Sequence, residues 1–129
     1  MDGLRMTIFC VARVVGCGRV GIVRGCVIKV SVFYANGEGK HFDIAYYCEK
    51  HMVLVERLCG PALKKMAVEQ GMSGMAPGSA APFLAMGHLY FETLGAFQSS
   101  FGPHLNEIVS DVPNYTNIEP SIQISEVKM

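Results

Sequence analysis

Two histidines, His51 and His88, are the residues of this sequence best suited to acid–base chemistry. The ordinary pKa of an imidazole lies near neutrality, so the side chain can accept or donate a proton at physiological pH. We predict that His51 and His88 are catalytic, either as an acid/base pair or by binding a carboxyl group. The alternative for each is a buried histidine with a structural hydrogen bond. Four further side chains are predicted to line the pocket: Tyr47, Met86, Tyr90 and Tyr115.

His51 lies in a predicted helix that Asp43 can cap and that Gly60-Pro61 can stop. Its apolar positions recur at spacings of three and four, which is the pattern of one buried helix face. The stripe consists of Ile44, Tyr47, His51, Leu54 and Leu58. Tyr47 falls one turn before His51, where its ring could orient the imidazole or close the pocket.

His88 lies in a strongly apolar segment, residues 83–91, that is typical of a β-strand. Alternation places Met86, His88 and Tyr90 on one face, and Ala85 and Gly87 on the other. Neither face has the polar character of a solvated surface, so we expect both to be covered.

The remaining elements follow from apolar runs and turn residues. Strands are predicted at residues 27–34, 63–72 and 118–127, with a loop at 73–82. A second helix is predicted to kink at Gly102-Pro103, with His104, Asn106 and Asp111 as boundary or solvent-facing residues. Its apolar positions are Leu94, Phe97, Phe101, Leu105, Ile108 and Val112. The order βαββαβ predicts an α+β, ferredoxin-like fold with an antiparallel sheet. Two helices cover only one face, so a homodimer with a second sheet on the other face is expected.

Composition excludes several classes of protein. With 129 residues the chain has room for one domain, and 50% hydrophobic with 17% charged residues is a globular composition. The formal net charge of zero lacks the basic footprint of a nucleic-acid binder. No apolar run approaches the roughly 20 residues that a membrane span requires.

The five cysteines indicate reduced thiols and a cytoplasmic protein. Their number is odd, their spacing is irregular, and no C-x-x-C pair occurs. Cys48 and Cys59, on the first helix, are predicted to be buried thiols. No metal is expected, because the histidines show neither H-x-H nor H-x-x-x-H spacing. No flavin, haem or nicotinamide motif follows residue 27, so no cofactor is expected.

Residues 1–26 differ in composition from the rest of the chain. They contain four of the five arginines but none of the lysines, and three of the five cysteines. Residues 16–21 spell G-x-G-x-x-G, but the Val- and Ile-rich run that follows favours a strand over the helix that a dinucleotide site needs. Arginines interrupt the apolar stretch that a signal peptide requires. A transit peptide would be rich in Ser, and this segment contains none. We therefore expect an N-terminal extension outside the domain, with an alternative start near Val27 and a domain at 27–129.

Five blocks of the sequence resemble EthD-like proteins of the dimeric α+β barrel superfamily. They read IKVSVFYANGEGKHFD, AYYCEKHMVL, APGSAAPFLAMGHLYF, FGPHLNEIVSDVPNYT and IQISEV, and they extend from residue 28 to residue 127. The resemblance implies a ferredoxin-like subunit whose sheet packs face to face with that of a second subunit. The family typically opens with Met just before IKVSV, which supports the start near Val27. Its first-helix motif is similar to Y-Y-x-x-K-H-x-P-L; this sequence has the His at His51 and Val53 where Pro is usual.

The resemblance also implies a functional context. The family is named for a gene that accompanies a cytochrome P450 system degrading fuel ethers, and members are often labelled reductases. Fungal relatives are linked to lyase or decarboxylase steps on polyketides. We therefore expect a role in oxidative catabolism of a small hydrophobic or aromatic compound, accessory to or part of a monooxygenase system. Two alternatives stay open: a cofactor-free lyase, decarboxylase or isomerase that uses the pocket histidines, and a non-catalytic binding or carrier protein.

Overall fold

The structure is a computed structural model that describes residues 27–129. The predictions of an N-terminal extension and of no nucleotide site at the G-x-G-x-x-G motif concern residues that lie outside this range.

Four antiparallel strands form one sheet. They are β1 (Val27–Ala35), β2 (Lys65–Gln70), β3 (Phe83–Phe91) and β4 (Ser121–Val127), in the order β2-β3-β1-β4. The predicted second and fourth strands are present but shorter than expected. The central pair β1 and β3 carries the Val-, Phe- and Tyr-rich sequences, as expected for strands covered on at least one face. The predicted α+β, ferredoxin-like fold is confirmed.

The first helix, α1, contains a wide turn at its centre. It runs as α-helix Ile44–Tyr46, π-helix Tyr47–His51 and α-helix Met52–Cys59. Asp43 caps its start, because the carboxylate accepts the backbone N–H of Tyr46 at 3.1 Å. Gly60 ends it at a φ of +65°, a backbone conformation that glycine adopts without steric cost.

The π-helical turn changes which residues of α1 face the sheet. The predicted stripe continued from His51 to Leu54 and Leu58, but Val55 and Cys59 are the buried positions. A π turn holds one residue more than an α turn, so the inward face advances by one position along the sequence. The second half of the predicted stripe therefore misses the most buried positions, although Leu58 is half-buried against the core. Cys59 is a buried thiol as predicted, whereas Cys48 is exposed.

The second helix, α2, is interrupted where the sequence predicted a kink. It runs as α-helix Leu94–Phe101, 3-10 helix Gly102–His104 and α-helix Leu105–Ser110. A further 3-10 turn, Val112–Asn114, leads towards β4. No helix within residues 27–129 is long and apolar enough to cross a membrane.

The two faces of the sheet have different surroundings. On the helix face, α1 and α2 cover a core that includes Val30, Tyr34, Ala85, Leu89 and Phe91. The opposite parity of β1 and β3 forms what we call the open face, which no element within residues 27–129 covers. Its residues include Ser31, Phe33, Met86, His88 and Tyr90.

Candidate functional site

The π-helical turn of α1 places Tyr47 and His51 against the helix face of the sheet. Their rings stack at a centroid distance of 5.4 Å and an interplanar angle of 15°. Both residues are buried, with exposed fractions of 1% and 4%. Gly87 makes this fit possible, because a Cβ at this position of β3 would overlap the Tyr47 hydroxyl. π-Helical turns within α-helices are frequent at functional sites.

Asp111, at the end of α2, holds His51 in place. Its Oδ2 atom lies 2.9 Å from His51 Nδ1, and the side chains are 15% and 5% exposed respectively. The same carboxylate accepts hydrogen bonds from the Tyr46 hydroxyl at 2.8 Å and from Asn114 Nδ2 at 2.9 Å. The sequence prediction of a boundary or solvent-facing role for Asp111 missed this contact. The one available signal was that Asp111 and Tyr115 share a block of the EthD resemblance.

Tyr115 approaches His51 from the other side. Its backbone carbonyl accepts the N–H of Asp43 at 2.8 Å, so the segment after α2 is tied to the start of α1. The Tyr115 hydroxyl lies 3.4 Å from His51 Nε2 and 2.8 Å from the hydroxyl of Tyr34, a residue of β1. Tyr34 is a further residue that the sequence reasoning did not select.

These contacts form a hydrogen-bonded chain with one consistent direction. Since Asp111 is acceptor-only when ionised, His51 Nδ1 carries the proton and Nε2 is an acceptor. Tyr115 can donate to Nε2, which leaves its oxygen free to accept from the Tyr34 hydroxyl, and Tyr47 packs with its ring against both His51 and Tyr34. We call this set of five residues the relay. The 3.4 Å contact at Nε2 is its longest, so Nε2 is the atom most open to a new partner.

The pKa shifts favour a neutral His51 beside an ionised Asp111. Burial lowers the pKa of His51 below its usual range, and the opposing effect of Asp111 is smaller. Partial burial disfavours ionisation of Asp111, but hydrogen bonds from Asn114, His51 and Tyr46 together outweigh it, so its pKa is lowered. Burial also raises the pKa of Tyr34, Tyr47 and Tyr115. At neutral pH the relay therefore has an unprotonated imidazole oriented by a carboxylate, the pairing that prepares histidine as a general base.

His88, Met86 and Tyr90 lie elsewhere, on the open face. Gly87 faces Tyr47, so the next residue along β3, His88, points to the opposite side of the sheet. The structure brings His51 together with Tyr47 and Tyr115 but does not bring it together with His88. Within residues 27–129 the sheet therefore separates the two members of the expected acid/base pair.

The open face carries a cavity of about 500 Å³. Met86 and His88 line it, together with Ser31, Phe33 and Glu69. Tyr90 stands beside this cavity between two lysines, with Lys65 Nζ at 5.1 Å and Lys29 Nζ at 5.9 Å from its ring centroid. No group of three or more metal-ligating His, Cys, Asp or Glu side chains occurs within residues 27–129.

Residues 37–119 match the family model described as the EthD domain, which is well over half of the chain. The chain belongs to the EthD family. A solved EthD-like protein from Ralstonia eutropha JMP134 is similar at 40% identity and a TM-score of 0.77, over 82% of this chain and 96% of that one. Among proteins of curated function, none matches the chain.

Two more distant structures share the fold. One is a dimeric ferredoxin-like protein of unknown function from Thermobifida fusca YX, with 12% identity and a TM-score of 0.50, over 81% of this chain and 93% of that one. The other is SnoaB, a cofactor-independent oxygenase from Streptomyces nogalater, with 9% identity and a TM-score of 0.56, over 82% of this chain and 96% of that one. At these identities the likeness is one of fold alone.

Proposed function

We propose that this EthD-family protein is a cofactor-free enzyme that moves a proton on a small hydrophobic or aromatic compound. In this proposal His51 is the general base and the step belongs to the oxidative catabolism of that compound. The observation that carries it is the contact of 2.9 Å between His51 Nδ1 and Asp111 Oδ2. A carboxylate in this position fixes the tautomer of the imidazole and stabilises the imidazolium that forms when Nε2 takes a proton.

The proton-transfer step follows from the relay. His51 Nε2 takes a proton from an acidic C–H or O–H of the bound compound, displacing the Tyr115 hydroxyl from its contact of 3.4 Å. Asp111 stays ionised and balances the new positive charge. The imidazolium then returns the proton to another atom of the compound, giving an isomer, or the anion passes to an oxidising partner and the imidazolium releases its proton to water. Rings of Tyr34, Phe42 and Tyr115, with centroids 4.7 to 5.9 Å apart, give the surroundings an aromatic character that suits such a compound.

The proposal includes a homodimer in the cytoplasm, in which two open faces pack together and enclose their cavities. The two helices within residues 27–129 lie on the other face of the sheet, and Phe33 and Met86 are only half-buried. Covering them with a second sheet would bury apolar area, which favours association. The ferredoxin-like protein of T. fusca, which shares this fold, is dimeric, and this supports a dimer here. SnoaB, which also shares this fold, is a cofactor-independent oxygenase. The partner in this proposal is the monooxygenase system that oxidises the same compound.

A carrier protein is the second candidate. The observation that favours it is the burial of the relay, since His51 and Tyr115 are only 4% and 1% exposed. A carrier would use the relay to hold and shield a reactive molecule rather than to convert it.

The experiment begins with identification by mass of a molecule that co-purifies with the protein. Turnover of this molecule and exchange of its acidic hydrogen in D₂O are then measured for the unaltered protein, for Asp111→Asn and for the control Glu107→Gln. Glu107 is exposed on the same helix, so Glu107→Gln removes one negative charge, as Asp111→Asn does, but does not alter a contact of His51. We expect Asp111→Asn to lower the rate by about 10² or more and Glu107→Gln to leave it unchanged. Binding without exchange or turnover would support the carrier, and equal rates in all three proteins would contradict the role of the relay.

A further inference from the structure

The open face contains a second hydrogen-bonded chain, which is independent of the relay. Ser31 on β1 and His88 on β3 are register partners, and Ser31 Oγ lies 3.0 Å from His88 Nδ1. The other imidazole nitrogen, Nε2, lies 3.3 Å from Oε1 of Glu69 on β2. Ser31 and His88 are each 5% exposed. Three adjacent strands thus align a hydroxyl, an imidazole and a carboxylate at the wall of one cavity.

We propose that Ser31 is a nucleophile activated by His88 and that the open-face cavity accepts a small carboxylic ester. The criterion is geometric: a hydroxyl within hydrogen-bond reach of a base, and that base oriented by a third group. A purely structural serine–histidine pair needs neither the carboxylate on the far nitrogen nor a cavity in front of the hydroxyl. This site uses none of the relay residues, so it does not depend on the role of His51. It lies on the face that the proposed dimer covers, so in that dimer the ester must enter between the two sheets.

The rest of the cavity suits an ester. Gln123 on β4 is the register partner of Ser31 on its other side, and Lys29 lies two residues before Ser31 on the same face. Both side chains line the cavity and can donate hydrogen bonds to a developing oxyanion, as side-chain amides do in other acyl-transfer sites. Phe33, Met86 and Val127 supply apolar walls. The cavity is a wide depression that is open to solvent in the single chain, and its volume of about 500 Å³ has room for a small ester.

The reaction balances with water as the only co-reactant. Ser31 Oγ bonds to the carbonyl carbon while its proton passes to His88 Nδ1. The bond from the carbonyl carbon to the alcohol oxygen then breaks, and the alcohol leaves with the proton from His88. Water, deprotonated by His88, cleaves the acyl–serine bond, and the products are a carboxylic acid and free Ser31.

The two contacts of His88 are expected to contribute unequally to the activation of Ser31. The side chain of Glu69 is 61% exposed and its contact with His88 is the longer of the two, so water screens it and its effect is the smaller. The Ser31–His88 contact is buried and is expected to carry most of the activation.

The test is covalent labelling with diisopropyl fluorophosphate. In this reaction Ser31 Oγ bonds to phosphorus, the P–F bond breaks, and HF is lost. We expect intact-mass analysis of the unaltered protein to show one adduct, which peptide mapping places on Ser31. Ser31→Ala should abolish labelling, His88→Gln should slow it by about 10² or more, and Glu69→Gln by less than tenfold. The same protein should release p-nitrophenol from p-nitrophenyl acetate, with Ser31→Ala at the uncatalysed rate.

His51→Phe serves as the control, because it removes the base of the relay and leaves the open face untouched. We expect the label to react with His51→Phe at the same rate as with the unaltered protein. Labelling of Ser31 and turnover by His51 can therefore be measured independently of each other. Mapping on the unaltered protein does not require that any variant folds. An unlabelled Ser31 after prolonged incubation, or equal labelling rates with and without His88, would overturn the proposal.

Discussion

Replacement of His51 by Phe separates chemistry from packing at the relay. A phenyl ring has nearly the shape of an imidazole and can keep the stack on Tyr47, whose centroid is 5.4 Å away. The variant loses the 2.9 Å bond to Asp111 and the weaker 3.4 Å contact with Tyr115. A hydrogen bond to a charged group contributes about 1.5–3 kcal/mol. Asp111 is 15% exposed and keeps its bonds from Tyr46 and Asn114, so we expect a loss of about 1–2 kcal/mol at neutral pH.

The pH dependence of stability gives this variant a second signature. Burial holds the pKa of His51 in the folded protein below 6.5, the value for an exposed histidine. Below pH 6.5 the unfolded chain therefore takes up a proton that the folded chain does not, and unfolding becomes easier. The stability from this group is complete above about pH 6.5 and decreases as the pH falls towards the folded pKa, by at most about 1.4 kcal/mol per pH unit. Asp111, whose pKa is lowered from 3.8, acts in a separate window below about pH 4.

Urea unfolding of both proteins between pH 4.5 and 8 measures this difference. We expect the free energy of unfolding of His51→Phe to change less with pH than that of the unaltered protein between pH 6.5 and 4.5. Turnover of the co-purified compound should decrease by about 10²–10⁴ in the folded variant. If the two pH profiles are parallel, His51 is not held neutral by burial. If turnover persists, His51 is not the base.

Three further predictions concern the packing around Tyr47, the N-terminal segment and the oligomeric state. Gly87→Ala places a methyl group against the Tyr47 hydroxyl and should destabilise the fold by about 1–3 kcal/mol in thermal or urea unfolding; Gly102→Ala, where an added Cβ has no atom within 4 Å, should not. Equal effects of these two changes would mean that Gly87 does not form the space for Tyr47. Removal of residues 1–26 should leave the melting temperature and the oligomeric state unchanged, and a truncated protein that fails to fold would refute the start near Val27. Sedimentation at micromolar concentration should give a dimer, whereas a monomer would exclude the enclosed barrel.

Short-range sequence patterns were sufficient to predict the order of the helices and strands. The alternation in β3 and the turn residues around it do not depend on the rest of the fold, and the caps Asp43 and Gly60 act on their own helix. The π-helical turn was beyond such patterns. Spacings of three and four fit a regular helix, and the extra residue in the turn Tyr47–His51 becomes visible only when the helix packs on the sheet.

The site was predictable only in part, for a similar reason. His51 was identified because it lies on an apolar stripe and in a family motif, both of which are local. Asp111 is 60 positions away from it, and Tyr34 is 81 positions from Tyr115. A carboxylate near a helix end is usually solvated, so its type and position alone indicate a surface residue. The contact joins the end of α2 to α1, and the bond from the Asp43 N–H to the Tyr115 carbonyl ties the same two segments together.

The sheet itself explains why the two histidines belong to different sites. Each is hydrogen-bonded to a carboxylate and to a hydroxyl, His51 to Asp111 and Tyr115, and His88 to Glu69 and Ser31. Between them lies the ladder of β1 and β3, whose backbone groups are paired with each other and so provide no path for a proton. The helix face is closed by α1 and α2, whereas no helix within residues 27–129 closes the open face. One short chain therefore offers two polar sites whose chemistry can be altered separately, and a change in either should leave the other intact.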